Sequence, residues 1–148
     1  MAQPAAAPRR IDLFLALIEA WKRRDIDDVL SRLDDQIVWH FAAGAEPPLV
    51  GKASARKFLT RFGADIAEVR WRIFDHAESG DRLFVEGVDE FTTTAGLTIL
   101  APYAGVIRFS GDLVSDWRDY VDVGVMAAQR SGGAAPAHIR ALADRPAV

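Results

Sequence analysis

The spacing of the apolar residues changes once along this chain, from a helical period to a strand period. Between residues 11 and 24 the apolar side chains recur at steps of three and four, which is the pattern of one buried helix face. Beyond about residue 69 they alternate with polar residues, as in strands that have one buried face. Helices that come before a sheet in the sequence predict an α+β fold rather than alternating βαβ units.

Three helices and one short strand are predicted ahead of the main sheet. The first helix covers residues 11–24, and Asp25 is the predicted N-cap of a short second helix that ends at Asp34. A short strand is expected at residues 36–41, and the Gly- and Pro-rich segment 42–51 predicts a loop. A third helix carries these apolar residues on one side: Phe58, Leu59, Phe62 and Ile66.

Four strand-like runs follow, near residues 69–77, 82–92, 97–109 and 113–123. Short turns rich in Gly, Ser, Thr and Asp separate them, so consecutive strands are expected to pair as antiparallel hairpins. Several runs are longer than the usual five or six residues, and long strands twist and coil. We therefore expect a strongly curved, mainly antiparallel sheet with the N-terminal helices packed against its open face.

The length of the chain predicts a single domain, because 148 residues are enough for one true core. We expect a flexible N-terminal lead-in at residues 1–10 and the folded domain at residues 11–128. An Ala-, Gly- and Pro-rich C-terminal tail is expected at residues 129–148, within which the run 137–142 is compatible with a helix.

The composition limits the partners and the compartment. The chain has no cysteine, so disulfides and cysteine metal sites are excluded, and the cytoplasm is the expected location. The net charge is -3 and the arginines are scattered among acidic residues, so we expect no nucleic-acid partner. A hydrophobic share of 50% is ordinary for a globular protein, so no membrane partner is expected, and three dispersed histidines predict no metal site.

Two aspartates lie on the apolar side of predicted strands. Alternate residues of a strand share a face, so Asp89 shares its face with Phe91. In the last strand Asp119 shares its face with Trp117, and the strand between the two adds Tyr103 to the same interior. The sequence therefore predicts two carboxyls and a phenol inside an apolar cavity.

Such a pair of carboxyls suits acid–base chemistry. Two carboxylates in an apolar cavity cannot both ionise cheaply, so at least one pKa rises above the ~3.9 of a free aspartate. One carboxyl can then donate a proton while the other accepts one. We predict Asp89 and Asp119 as catalytic residues and Tyr103 as a secondary donor to a substrate oxygen. The alternative is a structural role, in which each aspartate only bonds buried Trp, Tyr or backbone donors.

The residues predicted to bind a substrate surround these two aspartates. Gly87 leaves space beside Asp89, and His40 is the only histidine inside a well-defined predicted element. The aromatic lining favours an aromatic, terpenoid or polyketide-like molecule over a small polar metabolite. The full predicted substrate-binding set is Trp39, His40, Phe41, Trp71, Gly87, Phe91 and Trp117.

Two segments carry a resemblance to a known family. Residues 86–89, Glu-Gly-Val-Asp, and residues 117–122, Trp-Arg-Asp-Tyr-Val-Asp, resemble the limonene-1,2-epoxide hydrolases and their SnoaL-like relatives in the NTF2-like superfamily. The resemblance covers about residues 11–124 and implies the NTF2-like fold, a cone made of helices and a curved sheet. Shorter matching segments lie at residues 20–25, 51–53 and 105–106.

The resemblance also implies a reaction. In that family one Asp takes a proton from water, a second Asp protonates the epoxide oxygen, and an Arg bridges the two. Asp119 matches the base and Asp89 the acid, whereas Gly87 occupies the position of the bridging Arg. The family's Tyr and Asn that help to hold the water fall on Trp39 and Phe41, whose side chains have no hydrogen-bond acceptor.

Three functions therefore stay open. The resemblance implies epoxide hydrolysis, for which a substitute arginine would have to come from a helix, with Arg56 or Arg61 as candidates. A SnoaL-like lyase, cyclase or isomerase would use the same carboxyls without such an arginine. The third possibility is a non-catalytic ligand-binding domain, in which both aspartates would be dispensable. The two enzyme hypotheses require an acid and a base rather than a cofactor, so no cofactor is expected.

The outer face of the predicted sheet carries apolar residues that point away from the pocket. Apolar groups left outside a pocket indicate an interface, so we expect a homodimer. The residues on this face are Phe84, Val88, Val106 and Tyr120.

Overall fold

A computed structural model of the chain describes residue 1 and residues 5–148. Residues 2–4, which belong to the predicted lead-in, lie outside the described residues. Residues 5–9 are exposed and form neither helix nor strand, and the first helix begins at Arg10.

Five helices and seven strands make up the described chain, and all three predicted N-terminal helices are present, but the third ends at Gly63, so Ile66, predicted on it, begins a strand instead. Asp25 caps the second helix, as predicted, by accepting a hydrogen bond from the backbone N–H of Asp28 at 3.0 Å. No helix in this described part is long and apolar enough to cross a membrane. The elements are α1 (Arg10–Lys22), α2 (Ile26–Ser31), β1 (Leu33–His40), β2 (Leu49–Val50), α3 (Lys52–Gly63), β3 (Ile66–Val69), β4 (Arg72–Ser79), β5 (Arg82–Thr93), β6 (Thr98–Ser110), β7 (Leu113–Val121), α4 (Val123–Arg130) and α5 (Ala137–Ala143).

The strands form one sheet in the order β2-β1-β7-β6-β5-β3, with β4 also paired to β5. Strands β4 to β7 form the predicted antiparallel meander, and β1 joins it in parallel to β7. β5 and β6 are 12 and 13 residues long, lengths at which a sheet coils. The predicted α+β architecture, with helices against a strongly curved and mainly antiparallel sheet, is confirmed.

The core lies between α1 and the concave face of the sheet. Phe14 of α1 is fully buried and packs edge-on against the rings of Trp71 and Trp117. Burial of such a ring contributes about 2–3 kcal/mol through the hydrophobic effect. α1 is therefore held directly against the residues that surround the predicted pocket.

The run predicted as one strand at residues 69–77 is two strands. β3 and β4 are separated at Arg70 and Trp71, and β5 pairs with both of them. A register shift between Ile73 and Asp75 also interrupts the pairing of β4 with β5. Trp71 lies between the two strands, outside both ladders, and is buried in the interior.

A register shift also changes the beginning of β7. It falls between Arg108 and Phe109 in the pairing of β6 with β7. Val114 is buried and Leu113 is 37% exposed, the reverse of what alternation back from Trp117 predicts. An irregularity in one strand moves the side chains beyond it to the opposite face of the sheet.

The segment that follows β7 is a helix rather than further strand. β7 ends at Val121, and the side chain of Asp122 accepts a hydrogen bond from the backbone N–H of Val125 at 3.0 Å. This N-cap starts α4, which the sequence analysis divided between the last strand and the tail.

The predicted tail, residues 129–148, contains α5 and packs against the outer face of the sheet. Arg72 of β4 donates to the carbonyl of Ala143 at 3.0 Å, and the backbone N–H of Val148 donates to the carbonyl of Ile73 at 2.9 Å. The segment therefore contributes buried surface to the fold, despite its Ala-, Gly- and Pro-rich composition.

The face predicted to form a homodimer exposes only part of its predicted apolar surface. Val88, one of its four apolar residues, is fully buried. Phe84 and Tyr120 remain 38% and 53% exposed, and Val106 is half-buried. The homodimer stays a prediction, now with a smaller apolar face.

Candidate active site

A cavity of about 320 Å³ lies between the concave face of the sheet and the helices. Its wall is mainly apolar, with a few polar side chains, as is typical of sites for small hydrophobic molecules. The aromatic wall residues are Trp21, Trp39, Phe41, Phe58, Phe62, Trp71, Tyr103 and Trp117, and the charged or ionisable ones besides Tyr103 are Glu46, Asp89, Asp119 and Arg130.

The strand register brings the three predicted catalytic residues into this one wall. Asp89 of β5 lies opposite Ala101 of β6, and Asp119 of β7 lies opposite Gly105 of the same strand. Tyr103 lies on β6 between these two positions. The two carboxyls and the phenol therefore form a diagonal across three neighbouring strands.

Asp119 is held by the indole of its neighbour Trp117. The Nε1–H of Trp117 donates to Oδ1 of Asp119 at 2.8 Å. A Cβ added to Gly105 would lie 2.9 Å from this same Oδ1, so the glycine leaves room for the carboxyl. Residue 105 therefore has to be small for Asp119 to hold this position.

A second indole approaches the same carboxyl without completing a hydrogen bond. The Nε1–H of Trp39 is buried and has no hydrogen-bond partner among the described residues. It still lies close enough to Asp119 to help lower the pKa of that carboxyl. This N–H is therefore a buried donor beside Asp119 that has no acceptor among the described residues.

Asp89 has no hydrogen-bond donor comparable to Trp117. Its side chain forms no hydrogen bond with the described residues, and burial raises its pKa from the ordinary 3.8 to about 7. Burial is the cause of this shift, without a nearby arginine to oppose it. A carboxyl in this setting is a proton donor at neutral pH.

The pKa of Asp119 is also raised, to about 8. Burial is the largest cause and the negative charge of Asp89 adds to it, while the N–H groups of Trp117 and Trp39 oppose it. Two carboxyls that feel each other's charge titrate as a coupled pair, so both values belong to the pair. Near neutral pH the pair therefore holds a proton that can move.

The phenol of Tyr103 is oriented by a third indole. The Nε1–H of Trp71 donates to the Tyr103 oxygen at 2.7 Å. Burial, together with the charges of Asp119 and Asp89, raises the pKa of Tyr103 well above its ordinary value, so it stays protonated. Because its oxygen already accepts from Trp71, its own O–H is available for donation to a bound molecule.

Three indoles form a continuous stack behind these polar groups. The rings of Trp39 and Trp117 lie 4.6 Å apart with 12° between their planes. Trp117 and Trp71 lie 5.9 Å apart with 14° between their planes. The stack fixes the three N–H groups relative to one another, because none of the rings can turn independently of its neighbour.

Comparison with known proteins places this architecture in a family. Residues 14–117 match the family model of the SnoaL-like domain. This chain belongs to the SnoaL-like family. No curated protein matches it significantly.

Solved structures share the fold of this SnoaL-like protein. An NTF2-like protein of unknown function from Burkholderia pseudomallei K96243 is 24% identical, with a TM-score of 0.72 over 81% of this chain and 95% of that one. An LEH-like epoxide hydrolase from Mycobacterium tuberculosis is 22% identical, with a TM-score of 0.72 over 84% and 90%. A candidate SnoaL-like polyketide cyclase from Shewanella denitrificans OS-217 is 18% identical, with a TM-score of 0.76 over 85% and 99%. The predicted NTF2-like cone is confirmed, whereas membership of the limonene-1,2-epoxide hydrolases stays a prediction.

Most of the predicted substrate-binding residues line the cavity of the SnoaL-like domain, and three do not. Trp39, Phe41, Trp71 and Trp117 are in the wall. His40 is half-buried on the opposite face of β1, because neighbouring residues of a strand alternate. Phe91 is buried behind the wall, where its ring meets that of Phe62 at 5.3 Å.

Gly87 does not provide ligand space, contrary to the prediction. A Cβ at this position would lie 2.2 Å from the carbonyl oxygen of Arg72 in β4. The glycine therefore allows β4 to approach β5 closely beside the register shift in β4. An arginine, as the epoxide-hydrolase resemblance requires here, cannot be accommodated in this backbone.

The two helix arginines considered as substitutes lie outside the cavity wall in the described chain. Arg56 pairs with Asp27 at 2.7 Å on the surface, and Arg61 is exposed on α3. Arg130 of α4 is instead the arginine that reaches the wall. Sequence reasoning missed it because α4 was not recognised, although Asp122 is an N-cap residue directly before a suitable run.

The described side chains show no grouping of three or more His, Asp or Glu residues that could hold a metal ion. The absence of a cofactor stays a prediction.

Replacing Gly105 by alanine is expected to displace the Asp119 carboxyl from Trp117. The new methyl group would meet Oδ1 of Asp119 at 2.9 Å, so the carboxyl must turn away and lose its indole donor. We expect the pKa of Asp119 to rise further and the protein to lose about 1–3 kcal/mol of stability from overpacking. Carboxyl-carbon NMR titration and denaturant unfolding measure the two effects.

The matched control for this variant is Trp117→Phe. It removes the indole donor without adding a methyl group beside the carboxyl. Both variants are therefore expected to raise the pKa of Asp119, and an unchanged titration in both would show that the Trp117 hydrogen bond does not stabilise the carboxylate.

Proposed function

We propose that this SnoaL-like protein is a cofactor-free acid–base enzyme. Its substrate is a small hydrophobic molecule with an oxygen acceptor, and the reaction is of the lyase, cyclase or isomerase type. The observation that supports the proposal is the pair of carboxyls, Asp89 half-buried and Asp119 buried, in the wall of one apolar cavity. Perturbed carboxyls that converge in a cavity are a signature of acid–base sites.

Hydrogen bonding supports one division of roles between the two carboxyls. Asp119 receives the N–H of Trp117 and the approach of Trp39, both of which favour its negative form. The pKa of Asp119 is raised further than that of Asp89, to about 8 against about 7, but both values belong to the coupled pair. We place the proton of the singly protonated pair on Asp89 because its carboxyl has no hydrogen-bond donor among the described residues, whereas the carboxylate of Asp119 accepts from Trp117. Asp119 is therefore the base and Asp89 the acid, in agreement with the roles implied by the resemblance.

The donors beside the pair support a position for a substrate oxygen next to Asp119. Tyr103 has an O–H available for donation, and Trp39 has an N–H without a partner in the described chain. Both lie in the cavity wall near Asp119. A carbonyl oxygen held by such donors gains stabilisation as negative charge develops on it.

A balanced proton transfer follows from these roles. The carboxylate of Asp119 takes a proton from the carbon beside the carbonyl, and the electron pair of that C–H bond moves into an enolate whose oxygen accepts from Tyr103. Asp89 then delivers its proton to another atom of the enolate, and Asp119 returns its proton to Asp89 to complete the cycle. The net result is an isomerisation. In an elimination the same enolate expels a group from its β-carbon, and the proton of Asp89 goes to that leaving group; in a ring closure the enolate carbon bonds to a second carbonyl carbon of the molecule, whose oxygen takes that proton.

The aromatic wall indicates the class of substrate. Flat rings such as Trp39, Trp117 and Phe58 gain most from contact with another flat, apolar surface. Aromatic, terpenoid and polyketide-like molecules fit this description, and the Shewanella neighbour is itself described as a candidate polyketide cyclase.

Epoxide hydrolysis is the second candidate function. It is favoured by the presence of both carboxyls at the family's acid and base positions, and one fold neighbour is an LEH-like epoxide hydrolase. Two features oppose epoxide hydrolysis. The backbone leaves no room for an arginine side chain at Gly87, and the side chains of Trp39 and Phe41 cannot accept a hydrogen bond from water. Because of these two differences, we rank proton transfer at carbon above epoxide hydrolysis.

The first experiment follows proton transfer at carbon. The protein is incubated in D₂O with 2-tetralone, a bicyclic aromatic ketone with acidic C–H bonds, and deuterium uptake is measured by mass spectrometry. We expect uptake above the buffer rate, reduced on the order of 10²-fold or more in Asp119→Asn and in Asp89→Asn. Asp112→Asn, an exposed turn residue, is the matched control and leaves the rate unchanged.

A parallel assay with a panel of epoxides in ¹⁸O-labelled water separates the alternatives. A diol that contains one solvent oxygen would replace the proposal with epoxide hydrolysis. Ligand binding without deuterium uptake or diol formation, unchanged in both aspartate variants, would instead identify a binding domain.

A further inference from the structure

Arg130 is the only cationic side chain in the cavity wall as the structure describes it. It lies in the last turn of α4, and Val123 and Met126 of the same helix also line the cavity. These three positions are separated by three and four residues, so they share one helix face. α4 therefore presents an apolar stripe that ends in a positive charge.

The guanidinium of Arg130 is held only loosely. Within the described residues its ion pair is with Asp65, at 3.8 Å, which is close to the limit of such a contact. The Cζ atom of Arg130 lies 5.4 Å from the centre of the Phe91 ring, and the Arg130 side chain is 40% exposed. Exposed pairs of this length contribute little, so a better placed anion can replace Asp65.

The backbone that carries Arg130 is, in contrast, firmly anchored. The side-chain amide of the preceding residue, Gln129, accepts from the N–H of Leu100 at 2.8 Å and donates to its carbonyl at 2.8 Å. Gln129 is buried, and these two bonds fix the end of α4 to β6. The guanidinium of Arg130 therefore stays at the cavity even when it exchanges Asp65 for another ion-pair partner.

We propose that Arg130 binds a carboxylate of the ligand at the rim of the cavity, so that the preferred ligand is a flat, hydrophobic carboxylic acid in its ionised form. A guanidinium offers two parallel N–H donors that match the two oxygens of a carboxylate. The apolar part of the same molecule then occupies the aromatic interior. This inference rests on the proposed function to the extent that both place the ligand in this cavity.

Glu46 also lies in the wall and opposes an anion. It belongs to the loop between β1 and β2 and is exposed, whereas Arg130 approaches the cavity from α4. We therefore expect the ligand carboxylate on the α4 side and a weakening influence from Glu46. The Glu46→Gln variant is expected to bind the anion more tightly.

The test compares 2-naphthoate with 2-naphthamide, which has nearly the same shape without the charge. Binding is measured by isothermal titration calorimetry at pH 7 and low salt. We expect the native protein to bind 2-naphthoate at least about 5-fold more tightly than the amide, and Arg130→Gln to reduce this ratio to about 1. The affinity for the amide stays unchanged in Arg130→Gln, which shows that the variant is folded.

The controls separate a local contact from a general charge effect. Arg61→Gln removes an exposed arginine outside the wall and leaves the ratio unchanged, while Glu46→Gln increases it. Equal affinity for the two probes, failure of 2-naphthoate to bind, or a ratio that persists in Arg130→Gln would overturn the inference. The proposed function is tested independently, because deuterium uptake by 2-tetralone involves a neutral ketone.

Discussion

Replacing Asp119 by asparagine makes the protein more stable at pH 8, although it removes the proposed catalytic base. The pKa values of Asp89 and Asp119 rise from the ordinary 3.8 to about 7 and about 8 in the fold. Between the ordinary and the raised values, the folded protein binds more protons than the unfolded chain, so its stability falls as the pH rises. The native protein is therefore expected to lose on the order of a few kcal/mol of unfolding free energy between pH 5 and 8.

The aspartate variants remove the pH dependence of the unfolding free energy in steps. Asp119→Asn keeps an oxygen that can accept from Trp117, and it deletes the negative charge that destabilises the fold above neutral pH. Asp89→Asn acts in the same way and also lowers the pKa of the remaining Asp119, because one of the causes of its shift is gone. The double variant has the flattest pH profile.

Denaturant unfolding at pH 5 and pH 8 measures these differences. Asp112→Asn, in an exposed turn, is the control and follows the native profile. A native protein that becomes more stable from pH 5 to pH 8, with the same slope in the Asp119→Asn variant, would contradict the raised pKa values. The experiment needs no substrate.

Restoring the missing arginine at position 87 is expected to unfold the protein rather than to create an epoxide hydrolase. The Cβ of any residue there would lie 2.2 Å from the carbonyl oxygen of Arg72, which belongs to the backbone and cannot turn away. Gly87→Ala is therefore expected to cost about 3 kcal/mol or more, and Gly87→Arg at least as much. Thermal and denaturant unfolding measure the loss.

Two controls identify the cause of this loss. Ala104→Arg places an arginine at an exposed position of the neighbouring strand and is expected to be tolerated. Gly105→Ala is expected to cost less than Gly87→Ala, because its methyl group meets the end of a side chain rather than backbone. A stable Gly87→Arg variant that gains diol formation would show that the resemblance extends to the bridging arginine after all.

Local patterns were sufficient to predict the three N-terminal helices, the three long strands and the face on which the two carboxyls lie. The period of two along β5, β6 and β7 depends only on neighbouring residues, and it places Asp89, Tyr103 and Asp119 on one face. The hairpin turns then fix which strands are adjacent. The cavity wall that results contains the predicted catalytic residues, although their activity stays a proposal.

The features that sequence analysis missed depend on contacts between distant segments. The role of Gly87 requires knowledge of how closely β4 approaches β5, and the burial of Val114 requires a register shift that no local pattern reveals. Arg130 reaches the cavity only because Gln129 ties α4 back to Leu100 of β6. The composition of the C-terminal region predicted a tail and gave no sign of these tertiary contacts.

The stack of Trp39, Trp117 and Trp71 gives the cavity an optical signal of its own. Three nearly parallel indoles with ring centres 4.6 and 5.9 Å apart are expected to couple their strong electronic transitions, which contributes to the circular dichroism in the far ultraviolet. The central ring also donates to Asp119, so its absorption responds to the charge on that carboxyl. A molecule that enters the cavity is expected to change both the circular dichroism of the stack and the absorption of the central ring. Unlabelled compound collections can therefore be screened against this protein by spectroscopy alone.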